Sequence, residues 1–85
     1  MEKINLDKFY YTVRELIEIL KGFPQDLPVI TSGYENGFEN FHQPEIVQVI
    51  HEPENMYYAG EFQLAEKDIK ESFQAVAIMR VVRDD

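Results

Sequence analysis

Eighty-five residues make one small domain, too short for a dinucleotide-binding unit with a separate substrate domain or for a barrel. Sixteen acids against eight bases leave a formal net charge of −8, which disfavours direct binding to nucleic acid or to an anionic membrane, both polyanions. Apolar residues are 45% and charged residues 28%, the balance of a soluble globular chain, and the lack of cysteine excludes disulfides, thiolate zinc sites and a cysteine nucleophile.

In chain order, residues 1–8 lack the long apolar core of a secretory signal. No later run approaches the roughly 20 apolar residues that span a bilayer, so the expected location is cytoplasmic. The first strong local signal predicts a helix from Val13 to Lys21. Thr12 is its N-cap and Glu15 stands three residues later, the pattern of a capping box, with Tyr11 and Leu16 at the positions of a hydrophobic staple. Val13, Leu16, Ile17 and Leu20 follow the spacing of one buried face. Gly22 is expected as a left-handed residue beyond the last turn, and Pro24 prevents continuation.

Gln25 to Pro28 form a turn, and the β-branched run Val29-Ile30-Thr31-Ser32 predicts a strand. Gly33 to Phe38 is expected as a loop whose Asn36-Gly37 pair favours a tight turn. Ile46 to Ile50 has apolar residues on both faces, as a central strand does. Met56 to Leu64 alternates, with Met56, Tyr58, Phe62 and Leu64 on one face and Gly60 as a candidate bulge. Residues 65–71 are polar, a loop or one helical turn, and Phe73 to Val82 predict the last strand.

Strands joined by short turns pair antiparallel, and a single amphipathic helix must bury its stripe on the one large surface available. The expected fold is therefore a single α+β domain over 1–85: one N-terminal amphipathic helix packed on a three- or four-stranded, mostly antiparallel sheet. At this size the core is thin. Dimerisation through the other sheet face, or through an edge strand, would relieve the shortage.

Charge is unevenly distributed. From Gly22 to Glu66 there are eight acids and no lysine or arginine, so this segment carries the whole net charge, while the flanks hold eight of each sign and cancel. The simplest account is solvation of loops and outward sheet positions. The sharper one is an anionic face for a basic protein surface, by mimicry of DNA in its extreme form.

The stretch Tyr34 to His42 combines aromatic and acidic side chains. Tyr34, Phe38 and Phe41 are of the type that anchors protein interfaces, with Glu35 and Glu39 to steer the approach; these five form the candidate binding set. The competing account has Phe38 and Phe41 tucked into the core. The tight turn predicts that the three rings are not all fully buried. Base stacking is disfavoured, since no cation accompanies the rings to hold phosphate.

His42 lies near Glu45, and His51 near Glu52 and Glu54. A two-histidine, one-carboxylate metal site needs these groups together, and their spacing is not diagnostic. Ser32 and Ser72 carry no mark of an activated nucleophile. No catalytic residue, metal ligand or cofactor is assigned.

The segment Thr12 to Ile30 resembles the opening of many small proteins of bacteriophages and mobile elements, whose pattern is roughly T-V-x-E-L-I-x-x-L-K-x-x-P-x-D-x-P-V followed by a glycine-containing acidic loop, here Ser32 to Phe38. The likeness covers residues 12–38 and transfers context without catalytic residues: it implies a small inhibitor or accessory protein acting on a host component. The expectation is a non-enzymatic protein-binding module whose partner carries a basic surface. The alternatives are an acidic DNA-mimic inhibitor, a small metal-dependent enzyme and a sponge for a nucleotide signal.

Overall fold

The computed structural model describes residues 9–83. Their order is helix α1 (Val13–Lys21), strands β1 (Thr31–Ser32), β2 (Phe38–Glu39), β3 (Glu45–His51), β4 (Phe62–Leu64) and β5 (Phe73–Ala77). One short helix and two antiparallel sheets define a small α+β fold.

The capping box sets the helix start. The Thr12 hydroxyl accepts the Glu15 backbone N–H at 3.1 Å, and the Glu15 carboxylate accepts the Thr12 backbone N–H at 2.9 Å. The helix ends differently from expectation. Gly22 has φ −78°, in the right-handed region, so it carries the turn one step further instead of reversing it. Backbone N–H groups close the last turn, Gly22 donating to the Ile19 carbonyl at 3.0 Å and Phe23 to that of Leu20 at 3.2 Å, and the Gln25 side-chain amide adds bonds to the carbonyls of Leu20 at 3.2 Å and Phe23 at 2.7 Å. A side-chain donor thus supplements the backbone bonds that satisfy the last helical carbonyls.

β3 is the central strand of the larger sheet, whose order is β4-β3-β5. Val49 pairs with Leu64 on one side and Phe73 on the other, and His51 pairs with Phe62. Directly opposed residues share a face. On the face of Val49 the rings of Phe62 and Phe73 meet that of Phe9, which stacks on Phe62 with centroids 5.6 Å apart and meets Phe73 edge-on at 5.1 Å. Val49, 7% exposed, is the one buried apolar residue among those described. The cover over the sheet thus includes Phe9, ahead of the helix. The helix stripe expected to be buried is not: no residue of α1 is buried, and Ile17 remains 49% exposed.

Three strand boundaries are corrected. The alternating run Met56 to Leu64 is a strand only over Phe62–Leu64. Residues 53–60 form successive turns, with Asn55 N–H donating to Glu52 and Ala59 N–H to Met56. The Asn55 amide binds the Gly60 carbonyl, and Gln63 reaches back to the carbonyls of Ala59 and Gly60. Gly60, at φ +74°, is a turn residue and not a bulge; turn chemistry overrides the alternation. Val29 and Ile30 lie outside β1. The last strand ends at Ala77, with an isolated bridge further on between Arg80 and Phe41. Between the Glu45–Ala77 pair and that bridge, one side of the ladder advances four residues and the other three. Pro44 lies in this stretch, and it has no N–H to give to a ladder.

Candidate functional site

The stretch expected as a loop is an antiparallel hairpin. Thr31 pairs with Glu39 and Ser32 with Phe38, so Phe38 is a strand residue and residues 33–37 are the tip. Gly33 N–H donates to the Gly37 carbonyl at 2.9 Å. Gly37 has φ +73°, a left-handed conformation that a side chain resists. At Gly33 an added Cβ would lie 2.7 Å from the Asn36 carbonyl oxygen.

The C-terminal segment straps the hairpin from one side. Val81 N–H donates to the Asn40 carbonyl and His42 N–H to that of Met79, both at 2.8 Å. The Arg80 guanidinium stands over the Tyr34 ring, 5.4 Å from its centroid. The Arg83 guanidinium reaches both oxygens of Glu39 through Nε, and Nη2 adds a 3.0 Å contact to Oε2.

The five candidate residues divide accordingly. Tyr34 and Phe38 are 78% and 69% exposed, and Glu35 is exposed beside them. Phe41 is half-buried within the bridge to Arg80. The Glu39 side chain, 19% exposed, is engaged by Arg83. Phe41 and Glu39 thus belong to the hairpin's base, while Tyr34, Glu35 and Phe38 present outward. The charge layout is modified as well. Arg80 and Arg83 lie outside the all-acidic segment in sequence but fold back onto it, and Arg83 offsets Glu39.

A second exposed aromatic cluster was placed by the alternating pattern on a strand. Met56, Tyr57 and Tyr58 occupy the turns before β4, and Tyr57 is 97% exposed, its ring meeting that of Tyr58 edge-on. The signals that point to a turn there are Pro53-Glu54-Asn55 ahead of the rings and Gly60 behind them.

The histidines do not converge with the carboxylates nearest in sequence. His51 Nε2 lies 2.7 Å from an oxygen of Glu61, across the ladder, and its ring packs 4.9 Å from Phe62. His42 is exposed. Among the described residues no three His, Asp or Glu side chains gather as a metal ion would require. The Ser72 hydroxyl accepts the Gln48 amide at 2.8 Å and lies 2.7 Å from the Ile69 carbonyl, which ties the loop after β4 to the central strand. Two open depressions lie beside His51. One, of about 340 Å³, is lined by residues 51–55, and one of about 400 Å³ by Phe9, Tyr10, Tyr11, Glu61 and Phe62. No helix among the described residues is long and apolar enough to cross a membrane.

Compared with protein-family models, curated proteins and solved structures, the chain matches none.

Proposed function

We propose that the chain is a non-catalytic protein-binding module, acting in the cytoplasm, that grips its partner with the outward end of the β1–β2 hairpin, the tip and the strand residue Phe38 beside it. Tyr34 and Phe38 are the apolar anchors and Glu35 steers the approach. The observation that carries this reading is the pair of large rings left in solvent on a hairpin whose base is braced by the Arg83–Glu39 contact and the Asn40–Val81 bond. A braced element loses little conformational freedom on binding, so exposed rings on it are effective anchors. The acidic excess of residues 22–66 favours a partner with a basic surface. The likeness of residues 12–38 to phage and mobile-element proteins supports a host protein as that partner, with this chain as its accessory or inhibitor.

The test compares tagged wild-type chain with the Tyr34→Ala/Phe38→Ala double variant as bait in a host extract, alongside melting curves. A protein retained by the wild type and lost at least roughly tenfold by a variant melting within a few degrees supports the reading, since truncating a hot-spot pair removes more than about 1.4 kcal/mol. Equal retention by both baits, or collapse of the variant's fold, overturns it. Displacement of the retained protein by duplex DNA would favour DNA mimicry as the mode of action.

A further inference from the structure

The depression lined by Phe9, Tyr10, Tyr11, Glu61 and Phe62, of about 400 Å³, falls in the size range of small-ligand sites. Aromatic rings make up its lining apart from Glu61, the one charged group among these residues. Phe9 and Phe62 are half-buried and stacked with centroids 5.6 Å apart, and they form the inner wall. Tyr10 and Tyr11 are exposed at the rim, where their rings meet at 84° with centroids 6.4 Å apart and make an open corner.

Glu61 is held on one side and open on the other. His51 Nε2 stands 2.7 Å from its Oε2. An ionised carboxylate only accepts, so the imidazole N–H is the donor. Oε1 meets no donor among the described residues, and the Glu61 side chain is 52% exposed.

The lining selects the ligand. Each ring face attracts a cation placed within about 6 Å of its centroid, and the carboxylate adds a full negative charge. Glu52 and Glu54 line the depression on the other side of His51, and residues 22–66 contain no lysine or arginine, so the local field favours cations. A divalent metal ion needs several oxygen ligands, and no such group gathers among the described residues. A guanidinium brings five N–H donors, more than one carboxylate already bonded to His51 satisfies. A quaternary ammonium has no N–H to satisfy, and its methyl groups cover apolar ring faces while its charge meets the ring quadrupoles.

We propose that this depression binds a trimethylammonium group. Phe9, Tyr10, Tyr11 and Phe62 contact its methyl groups, Glu61 is the counter-charge, and His51 is the residue that positions Glu61. The site is separate from the hairpin. Strand β3 covers roughly 20 Å from Glu45, next to the Phe41–Arg80 bridge that leads to the hairpin, to His51. The two sites therefore lie toward opposite ends of the ladder, and neither reading rests on the other.

The test titrates the full chain with choline and follows amide shifts by NMR, in mildly alkaline buffer where imidazole is uncharged. The control is choline's uncharged isostere, with a tert-butyl group in place of the trimethylammonium. Saturable shifts centred on residues 9–11, 51, 61 and 62 are expected, with the isostere at least roughly tenfold weaker. Glu61→Gln, and Tyr10→Leu/Tyr11→Leu, which keeps apolar bulk, should each weaken choline at least roughly fivefold. Tyr34→Ala/Phe38→Ala should leave choline binding unchanged, so a failed hairpin and a failed cation site give different results. A short peptide with trimethyl-lysine, beside the same peptide with plain lysine, separates the two bearers of the group. A trimethylated peptide held tighter than choline makes the ligand a partner's side chain; one held no tighter makes it a free small cation. The proposal is overturned if neither choline nor the trimethylated peptide gives saturable shifts, or if the isostere binds as well as choline. Shifts centred away from the depression, or undiminished binding by Glu61→Gln, overturn it too. If the tyrosine variant fails to fold, the isostere and Glu61→Gln still decide.

Discussion

Arg83 holds Glu39 from 44 residues away, its Nε lying 3.2 and 3.1 Å from the two carboxylate oxygens. The contact brings the C-terminal segment onto the hairpin and takes one acid out of the set open to a partner. Its energy is bounded by solvent, since the Arg83 side chain is 65% exposed. Arg83→Ala should therefore cost only about 0.2–1 kcal/mol, a drop of a few degrees in melting temperature for a domain of this size. The difference should shrink in added salt, which screens exposed pairs. A loss well above 1 kcal/mol, unaffected by salt, would assign Arg83 a packing role in place of an electrostatic one.

The contact between Arg80 and Tyr34 separates ring area from ring charge. Tyr34→Phe keeps the face under the guanidinium and should be nearly neutral. Tyr34→Leu removes it and should cost about 0.5–1 kcal/mol, the usual worth of an exposed cation–π contact. A double-mutant cycle with Arg80→Ala isolates the coupling; a coupling of zero would mean the two side chains are neighbours without consequence.

Val49 and Ile46 stand on opposite faces of β3 and should respond differently. Val49 is the buried one and touches the sheet's aromatic side, so Val49→Ala should cost about 1.5–3 kcal/mol. Ile46 is 64% exposed, and Ile46→Ala should stay within about 0.5 kcal/mol. Urea denaturation of the two variants measures both. The reverse order would mean that the other sheet face is the covered one.

The capping box predicts a cost confined to the helix. Thr12→Ala removes the acceptor for the Glu15 N–H and should cost about 1 kcal/mol, with Thr12→Ser restoring most of it. The readout is the helical band in circular dichroism. An unchanged band in Thr12→Ala would show that α1 does not rely on its cap.

Two glycines in the hairpin should fail for different reasons. Gly37 has open space around a built Cβ but φ +73°, so Gly37→Ala carries only backbone strain, about 1–2 kcal/mol. Gly37→Asn should cost less, because asparagine tolerates that conformation. Gly33→Ala instead drives a methyl against the Asn36 carbonyl and should open the tip. Amide exchange at residues 33–37 distinguishes them: protection of the Gly33 N–H should survive Gly37→Asn and be lost in Gly33→Ala.

What was legible in the sequence was what a few neighbouring residues decide. Thr12 and Glu15 are three positions apart and bond to each other, so the helix start needs nothing remote. The apolar character of Ile46 to Ile50 on both faces is a property of that run, and β3 is indeed central in its sheet. The turn tendency of Asn36-Gly37 is equally local, and Gly37 adopts a left-handed conformation.

The rest was decided by pairings that join distant segments. Phe38 became a strand residue because Ser32 lies opposite it, and nothing within residues 33–38 alone distinguishes that from a loop. Met56 and Tyr58 have the right alternation for a strand, but the side chains of Asn55 and Gln63 bind the Ala59 and Gly60 carbonyls and hold the chain in turns. Among the candidate site residues, only contacts with the C-terminal segment separated Glu39 and Phe41, drawn into the base, from Tyr34, Glu35 and Phe38 at the outward end. The helix stripe makes the same point about burial. Its periodicity records a need for an apolar partner, whereas which surface meets that need depends on how all the elements are arranged in space. By itself the sequence determined the elements that close through local hydrogen bonds, the capped helix and the glycine turn. Tertiary structure alone decided the hairpin register, the Arg83–Glu39 strap and the exposure of each ring, because those follow from contacts across the chain whose partners no local pattern names.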